Sequence, residues 1–260
     1  MAEDILILEG ERIDSTGFGN LRLIQMKSEF CYGVDAVILA DFAATRGGRT
    51  DHGVPGYKKV NICDLGTGTG IIPLILSHKL AEAHITGIEV QENSAKRAVR
   101  NVEMNRLEER VDIVCGDVSD DKLMKEFAGK FDIVVTNPPY FENGNGLSNS
   151  NDARFIARTE TTATLDDFVR VASRLLGDRG ELYMVHRPFR LADIMESMRR
   201  YKIEPKTIRM CAGKAGEAAN IVLIHGIRNA GMELKVMPEL YVHKDDGSYT
   251  DEIERIYERK

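Results

Sequence analysis

From about Val60 onward, short apolar runs alternate with stretches whose apolar residues recur at helical spacing. "VNICDLG", "HITGIEV", "VDIVCGD", "FDIVVTN" and "ELYMVH" read as strands, nearly continuous in apolar side chains. "IIPLILSHKLAEA", "QENSAKRAVRNVEMNRL", "DDFVRVASRLL" and "LADIMESMRRY" carry apolar residues at the i, i+3, i+4 intervals of a helix packed on one face. Pro73 fits the first of these because it falls in the first turn, where a backbone N–H has no helical partner. Strands without in–out alternation are buried on both faces. The pattern therefore predicts an α/β fold, a mainly parallel sheet with helices on both sides. "KTIRMCA" and "NIVLIHGI", separated only by a Gly/Ala-rich loop, predict an antiparallel hairpin closing one edge.

Three segments fall outside that rhythm. Residues 1–59 hold two short strand-like runs, the helical pattern "GVDAVILADFAA" and the turn-rich linker "RGGRTDHGVPGYKK", and are expected to pack as an N-terminal extension on a core of residues 60–230. "ENGNGLSNSNDA", Glu142 to Ala153, reads as a polar loop. Residues 231–260 read as a polar C-terminal tail forming a surface strand and helix.

Composition adds bounds rather than a function. With 43% hydrophobic and 29% charged residues in 260, the chain is globular, and it has no apolar run long enough for a membrane span. The N-terminus lacks the basic region of a signal peptide. Cys31, Cys63, Cys115 and Cys211 form no CxxC and are expected to be reduced, in the cytoplasm. A formal charge of −6 argues against a general, sequence-blind nucleic-acid binder, though not against a local basic patch.

The chemistry concentrates at strand ends. "DLGTGTG" runs from Asp64 to Gly70 between a strand and a helix, the place where open parallel sheets bind ligands. Gly66, Gly68 and Gly70 give a G-x-G-x-G spacing, not the G-x-G-x-x-G of dinucleotide binders. Asp64 before the loop suits a cationic ligand better than a diphosphate. Glu89 ends the second strand, where a carboxylate can accept both hydroxyls of a ribose, and Asp117 follows the third. Taken singly these acids are ordinary loop residues; together with the glycine loop they resemble the class I S-adenosylmethionine-dependent methyltransferases. The resemblance covers roughly Val60 to His186. It implies a Rossmann-like fold with a mainly parallel seven-stranded sheet, an antiparallel edge hairpin, and S-adenosylmethionine as cofactor. It also implies that Asp64 lies near the methionine end, Glu89 at the ribose and Asp117 at the adenine amine.

"TNPPYFENG" follows the fourth core strand. Asn137 offers an amide oxygen. Pro138 and Pro139 fix the backbone, so the Asn137 oxygen and the Pro138 carbonyl are set to converge on one NH2 group. Tyr140 supplies a face on which a planar group stacks. The bland alternative is a rigid turn. In this context "NPPY" is similar to the amino-methyltransferase signature, which serves N6 of adenine in DNA or RNA and the side-chain amide of glutamine in release factors.

Further stretches narrow the choice. "YGVDAVILADFAA", "ARFIARTETTATLDDFVRVASRLL", "HRPFRLADIMESMRRYKIEPKTIRM" and "GEAANIVLIHGIR", in that order, resemble bacterial tRNA adenine-N6 methyltransferases acting beside the anticodon of a valine tRNA. That implies a tRNA partner, met at its anticodon loop. Arg154 and Arg158, with Arg187, Arg190, Arg199 and Arg200 further on, are candidates to contact its phosphates; a solvated helix face is the alternative for each. No histidine has metal-ligand spacing, so no metal is expected. His186 is expected only to satisfy a loop hydrogen bond. Three rival readings remain: glutamine methylation in a release factor, a nicotinamide oxidoreductase disfavoured by the glycine spacing, and a non-catalytic RNA-binding protein.

Overall fold

The structure, a computed structural model, describes residues 7–28, 32–45, 59–140 and 163–259. The chain begins with an antiparallel hairpin, β1 (Glu11–Ser15) and β2 (Arg22–Met26), followed by helix α1 (Val34–Ala44). Five parallel strands come next: β3 (Asn61–Leu65), β4 (His84–Glu89), β5 (Val111–Cys115), β6 (Phe131–Thr136) and β7 (Leu176–His186). Helices α2 (Ile71–Lys79), α3 (Glu92–Met104), α4 (Asp121–Glu126) and α5 (Leu165–Leu175) lie among them. Then come α6 (Leu191–Arg200), β8 (Ile203–Ala212) and β9 (Ile221–Arg228).

The strand order is β8-β9-β7-β6-β3-β4-β5, with β9 antiparallel to both neighbours. This is the expected seven-stranded sheet with its edge hairpin. It is extended by two short strands, β10 (Lys235–Val236) and β11 (Leu240–Tyr241), which pair with β8. The final helix, α7 (Asp251–Ile256), is capped by Thr250, which accepts from Ile253 N–H.

Two hydrophobic layers sandwich the sheet. One gathers residues of α1, α2, α7 and the hairpin residue Phe18; the other gathers α4, α5 and α6. Local signals set the helix starts. Thr164 and Asp167 form a reciprocal capping box at α5. Asp120 accepts from Lys122 and Leu123 N–H at α4, a two-turn helix too short for hydrophobic periodicity to register.

The flanking segments are tied to this core. Buried Asn101 of α3 accepts from Ile24 N–H at 2.6 Å and donates to Thr69 O at 2.9 Å, joining β2 to the glycine loop. Arg100 holds the Glu11 carboxylate in a two-point pair and lowers its pKa to about 2. At the other end, Ile253, Ile256 and Tyr257 are buried, with Tyr257 stacked on Phe18 at 5.7 Å. No described helix is long and apolar enough to cross a membrane.

Candidate active site

Parallel strands end together, so the residues just past Leu65, Glu89, Thr136 and His186 share the carboxyl edge of the sheet. The chain leaves β3 through Gly66, Gly68 and Gly70, all at positive φ (77°, 58° and 86°), where a side-chain-bearing residue is strained. A Cβ added at Gly68 would meet nothing within 4 Å, so the loop borders open space. Gly68 N–H donates to Glu89 Oε2 and Gln91 N–H to Glu89 Oε1, both at 2.8 Å. These bonds aim the carboxylate and leave each oxygen a lone pair for a further donor. Burial raises the Glu89 pKa.

Asp64 is fully buried and neither of its carboxylate oxygens makes a hydrogen bond. Burial pushes its pKa up to about 7; the Thr67 hydroxyl, close by without hydrogen-bond geometry, lowers it, and the Glu89 charge raises it. A buried carboxylate lacking partners, beside an aimed carboxylate and an open glycine loop, fits a ligand that brings a positive charge and vicinal hydroxyls. Asp117, half-buried beyond β5, accepts from Ser119 N–H at 2.7 Å.

On the neighbouring strand, Thr136 donates to Leu65 O at 2.9 Å and locks the end of β6 to β3. Asn137 follows, half-buried, with Pro138 buried and Pro139 and Tyr140 half-buried. The Tyr140 hydroxyl lies 2.9 Å from Asn137 Oδ1 and 3.2 Å from Asp35 Oδ2, and Asn137 Nδ2 reaches the same Asp35 oxygen at 3.5 Å. Asp35 stands in the first turn of α1, its other oxygen accepting from Ala36 N–H at 2.9 Å. Burial, then the Asp35 charge, holds the Tyr140 phenol protonated well above its ordinary range.

His186, 1% exposed, meets the Tyr140 ring edge-on at 5.0 Å, and the Arg187 guanidinium covers the ring at 4.8 Å. His186 Nδ1 accepts from Arg187 N–H at 2.8 Å, the loop hydrogen bond expected of it. Burial and the charges of Arg190 and Arg187 push its pKa down to about 4, so it is neutral near pH 7.

The structure thus brings Asp64, the three glycines, Glu89, Asn137 and Tyr140 to one edge, and adds Asp35. Asp35 escaped the sequence reading: it lies 102 residues from Asn137, and an acid in a first helical turn reads as a dipole partner. Arg154 and Arg158 lie outside the described residues. Arg199 and Arg200 are not brought to the site. Arg199 pairs at 2.8 Å with Glu204, which is level with Ile227, Glu181, Ile133 and Ile62 at the amino edge of the sheet. Arg200 bonds Glu196 and Asp166. The reason is direction: α6 leaves the carboxyl edge and returns to the other, so its last turn lies opposite Asn137.

The methyltransferase small domain family matches residues 53–202. The tRNA1(Val) (adenine(37)-N6)-methyltransferase of Actinobacillus pleuropneumoniae serotype 7 (strain AP76) is 30% identical over 201 residues, spanning 76% of this chain and 80% of the relative. Among solved structures, a predicted O-methyltransferase from Agrobacterium tumefaciens superposes with a TM-score of 0.66 at 22% identity, over 86% of this chain and 95% of that one. The Thermus thermophilus 16S rRNA N2 G1207 methyltransferase, solved with AdoMet and guanosine, superposes with a TM-score of 0.56 at 20% identity, over 84% of this chain and 50% of that one. These likenesses to solved structures concern the fold.

Proposed function

The chain belongs to the methyltransferase small domain family, and from that premise we propose that it transfers a methyl group from S-adenosylmethionine to the N6 amine of an adenine in tRNA, the unpaired adenine beside the anticodon of a valine tRNA. The observation that carries this reading is the cluster of Asn137, Tyr140 and Asp35 at the end of β6, at the same sheet edge as the glycine loop. Similarity to the tRNA methyltransferase from Actinobacillus supports the substrate.

When bound, S-adenosylmethionine supplies an electrophilic sulfonium methyl group. Asp64 would face its positive charge, Glu89 its ribose hydroxyls and Asp117 its adenine amine. The adenine N6 lone pair is delocalised into the ring, so the amine is a poor nucleophile. Asn137 Oδ1 and the Pro138 carbonyl accept its two hydrogens, favour a more tetrahedral nitrogen and aim the lone pair. Tyr140 stacks on the base, and His186 fixes the edge of that ring. Asp35, beside Asn137 Nδ2 and the Tyr140 hydroxyl, puts negative charge where the nitrogen becomes cationic. Orientation and charge placement then carry the rate. The base must leave its stack to enter, which an unpaired loop base does at lower cost than a duplex base. A tRNA substrate places this work in the cytoplasm.

The test offers the protein labelled S-adenosylmethionine with unmodified tRNA and a release factor side by side. Label in tRNA, recovered as N6-methyladenosine beside the anticodon, is the expected result. Label only in the release factor would assign the cluster to a glutamine amide.

A further inference from the structure

The rim of the site carries an aromatic side chain that does nothing for the core. β7 ends at His186, next to β6 and Asn137, and a 3-10 turn over Pro188–Arg190 connects it to α6. Phe189, in that turn, is 62% exposed, the only aromatic among the exposed large hydrophobic side chains of the described residues. The turn has no need of a ring there: Pro188 presets its backbone, and Arg190 N–H closes it on Arg187 O at 3.1 Å.

Two arginines flank Phe189 along the turn. Arg187 lies over Tyr140, with Nη1 donating to Asn220 O at 3.0 Å. Arg190, half-buried, pairs with Asp193 at 2.7 Å. The contact with Tyr140 places the Arg187 charge at the pocket, and Arg190 follows three residues later at the end of the same turn. By contrast, Arg199 and Arg200 are engaged by carboxylates at the opposite edge of the sheet.

Resting on the tRNA reading above, we propose that Arg187, Phe189 and Arg190 form the lip on which the RNA docks, with Phe189 stacking on the base next to the target adenine and the two arginines meeting the adjoining phosphates. Extruding one base uncovers a face of its neighbour. An exposed ring at the pocket mouth covers that face whatever the base, because every base has a π-face. Guanidinium groups on either side match phosphate oxygens in charge and in planar, two-point geometry. The lip also accounts for RNA binding by a chain whose formal charge is −6: the contact depends on a few cations at one edge, not on the overall balance.

The experiment uses the full chain with unmethylated tRNA, reading the dissociation constant by fluorescence anisotropy and KM by methyl transfer. Phe189→Ala should raise both by about fivefold or more, while Phe189→Tyr, which keeps the ring, stays within about twofold of wild type. Affinity for S-adenosylmethionine should be the same in all three proteins, which also shows that each is folded. Arg190→Ala should flatten the slope of log K against log salt by about 0.7, the loss of one single-strand phosphate contact. Wild-type tRNA affinity and KM in Phe189→Ala would overturn the lip while leaving the function standing, provided the wild type methylates tRNA. A binding loss confined to Arg199→Ala and Arg200→Ala would also overturn it, by placing the RNA at the other edge. A wild type that labels no tRNA would end both readings.

Discussion

Asp64 and Asn137 lie on neighbouring strands at one edge of the sheet, and their environments ask opposite things of them. Asp64 is buried without a hydrogen bond, so folding favours its protonated form and its folded pKa, about 7, lies above the unfolded value of about 3.9. A raised carboxylate pKa contributes stability below the unfolded value and loses it as pH rises through the folded one. Asp64→Asn should therefore match wild type near pH 4 and gain on it up to pH 7, by about 2–4 kcal/mol at pH 8, in urea unfolding of the ligand-free protein. The same substitution should weaken S-adenosylmethionine binding; a stability difference that is flat with pH would mean that Asp64 ionises like an exposed acid. Asn137, in the proposed mechanism, orients the amine instead. Asn137→Ala should leave cofactor affinity unchanged in calorimetry and lower the methyl-transfer rate by about 10²-fold or more. Stacking alone would make Tyr140→Phe mild, but its hydroxyl contacts Asn137 and Asp35. We expect about a fivefold rate loss, the scale of one net hydrogen bond.

At the scale of elements, α1 does two jobs. Its buried face fills the layer over β6 and β7, and its first turn presents Asp35 to Asn137 and Tyr140. Gly33 makes the second possible. Its φ of −87° and ψ of 168° suit any residue, yet a Cβ there would collide with the Asp35 carboxylate. Gly33→Ala should thus change unfolding free energy by less than about 1 kcal/mol, since no core contact is lost. It should nevertheless lower the methyl-transfer rate as Asp35→Ala does, by displacing the carboxylate. A Gly33→Ala protein with full activity would remove Asp35 from the chemistry. Asn101 plays a comparable part for the glycine loop, holding Thr69 against the N-terminal hairpin through one buried amide.

Taken whole, the molecule does not stop at the family match, which ends at residue 202. β8 to β11 and α7 complete the sheet and one hydrophobic layer. Leu240, Val242, Ile253, Ile256 and Tyr257 are all less than 8% exposed, and Arg209 grips Glu252 with two bonds of 2.8 Å. Burying each of the aliphatic four contributes about 1.5–3 kcal/mol, so together they rival the 5–15 kcal/mol by which a domain is stable. Removing residues 231–260 should leave a chain without a cooperative thermal transition by circular dichroism. A truncated protein that melts cooperatively would show the tail to be an appendage.

Strand and helix identities, the glycine loop and the "NPPY" turn were legible in the sequence because each is a local property. Periodicity is set by the nearest turn or pleat, and a left-handed glycine or a proline acts on its own backbone. The three strand-end acids were legible for the same reason: in a parallel sheet, the end of every strand lies at one edge. Short α4, β10 and β11 carry too few residues to show a period, and they form through caps and edge pairing. The meeting of Asp35 with Asn137, the closure of Arg187 and His186 on Tyr140, and the removal of Arg199 and Arg200 to the far edge were decided only by the tertiary structure. Each depends on strand order and chain direction, which bring together residues up to about a hundred positions apart or separate near neighbours across a sheet, and no local pattern encodes that distance.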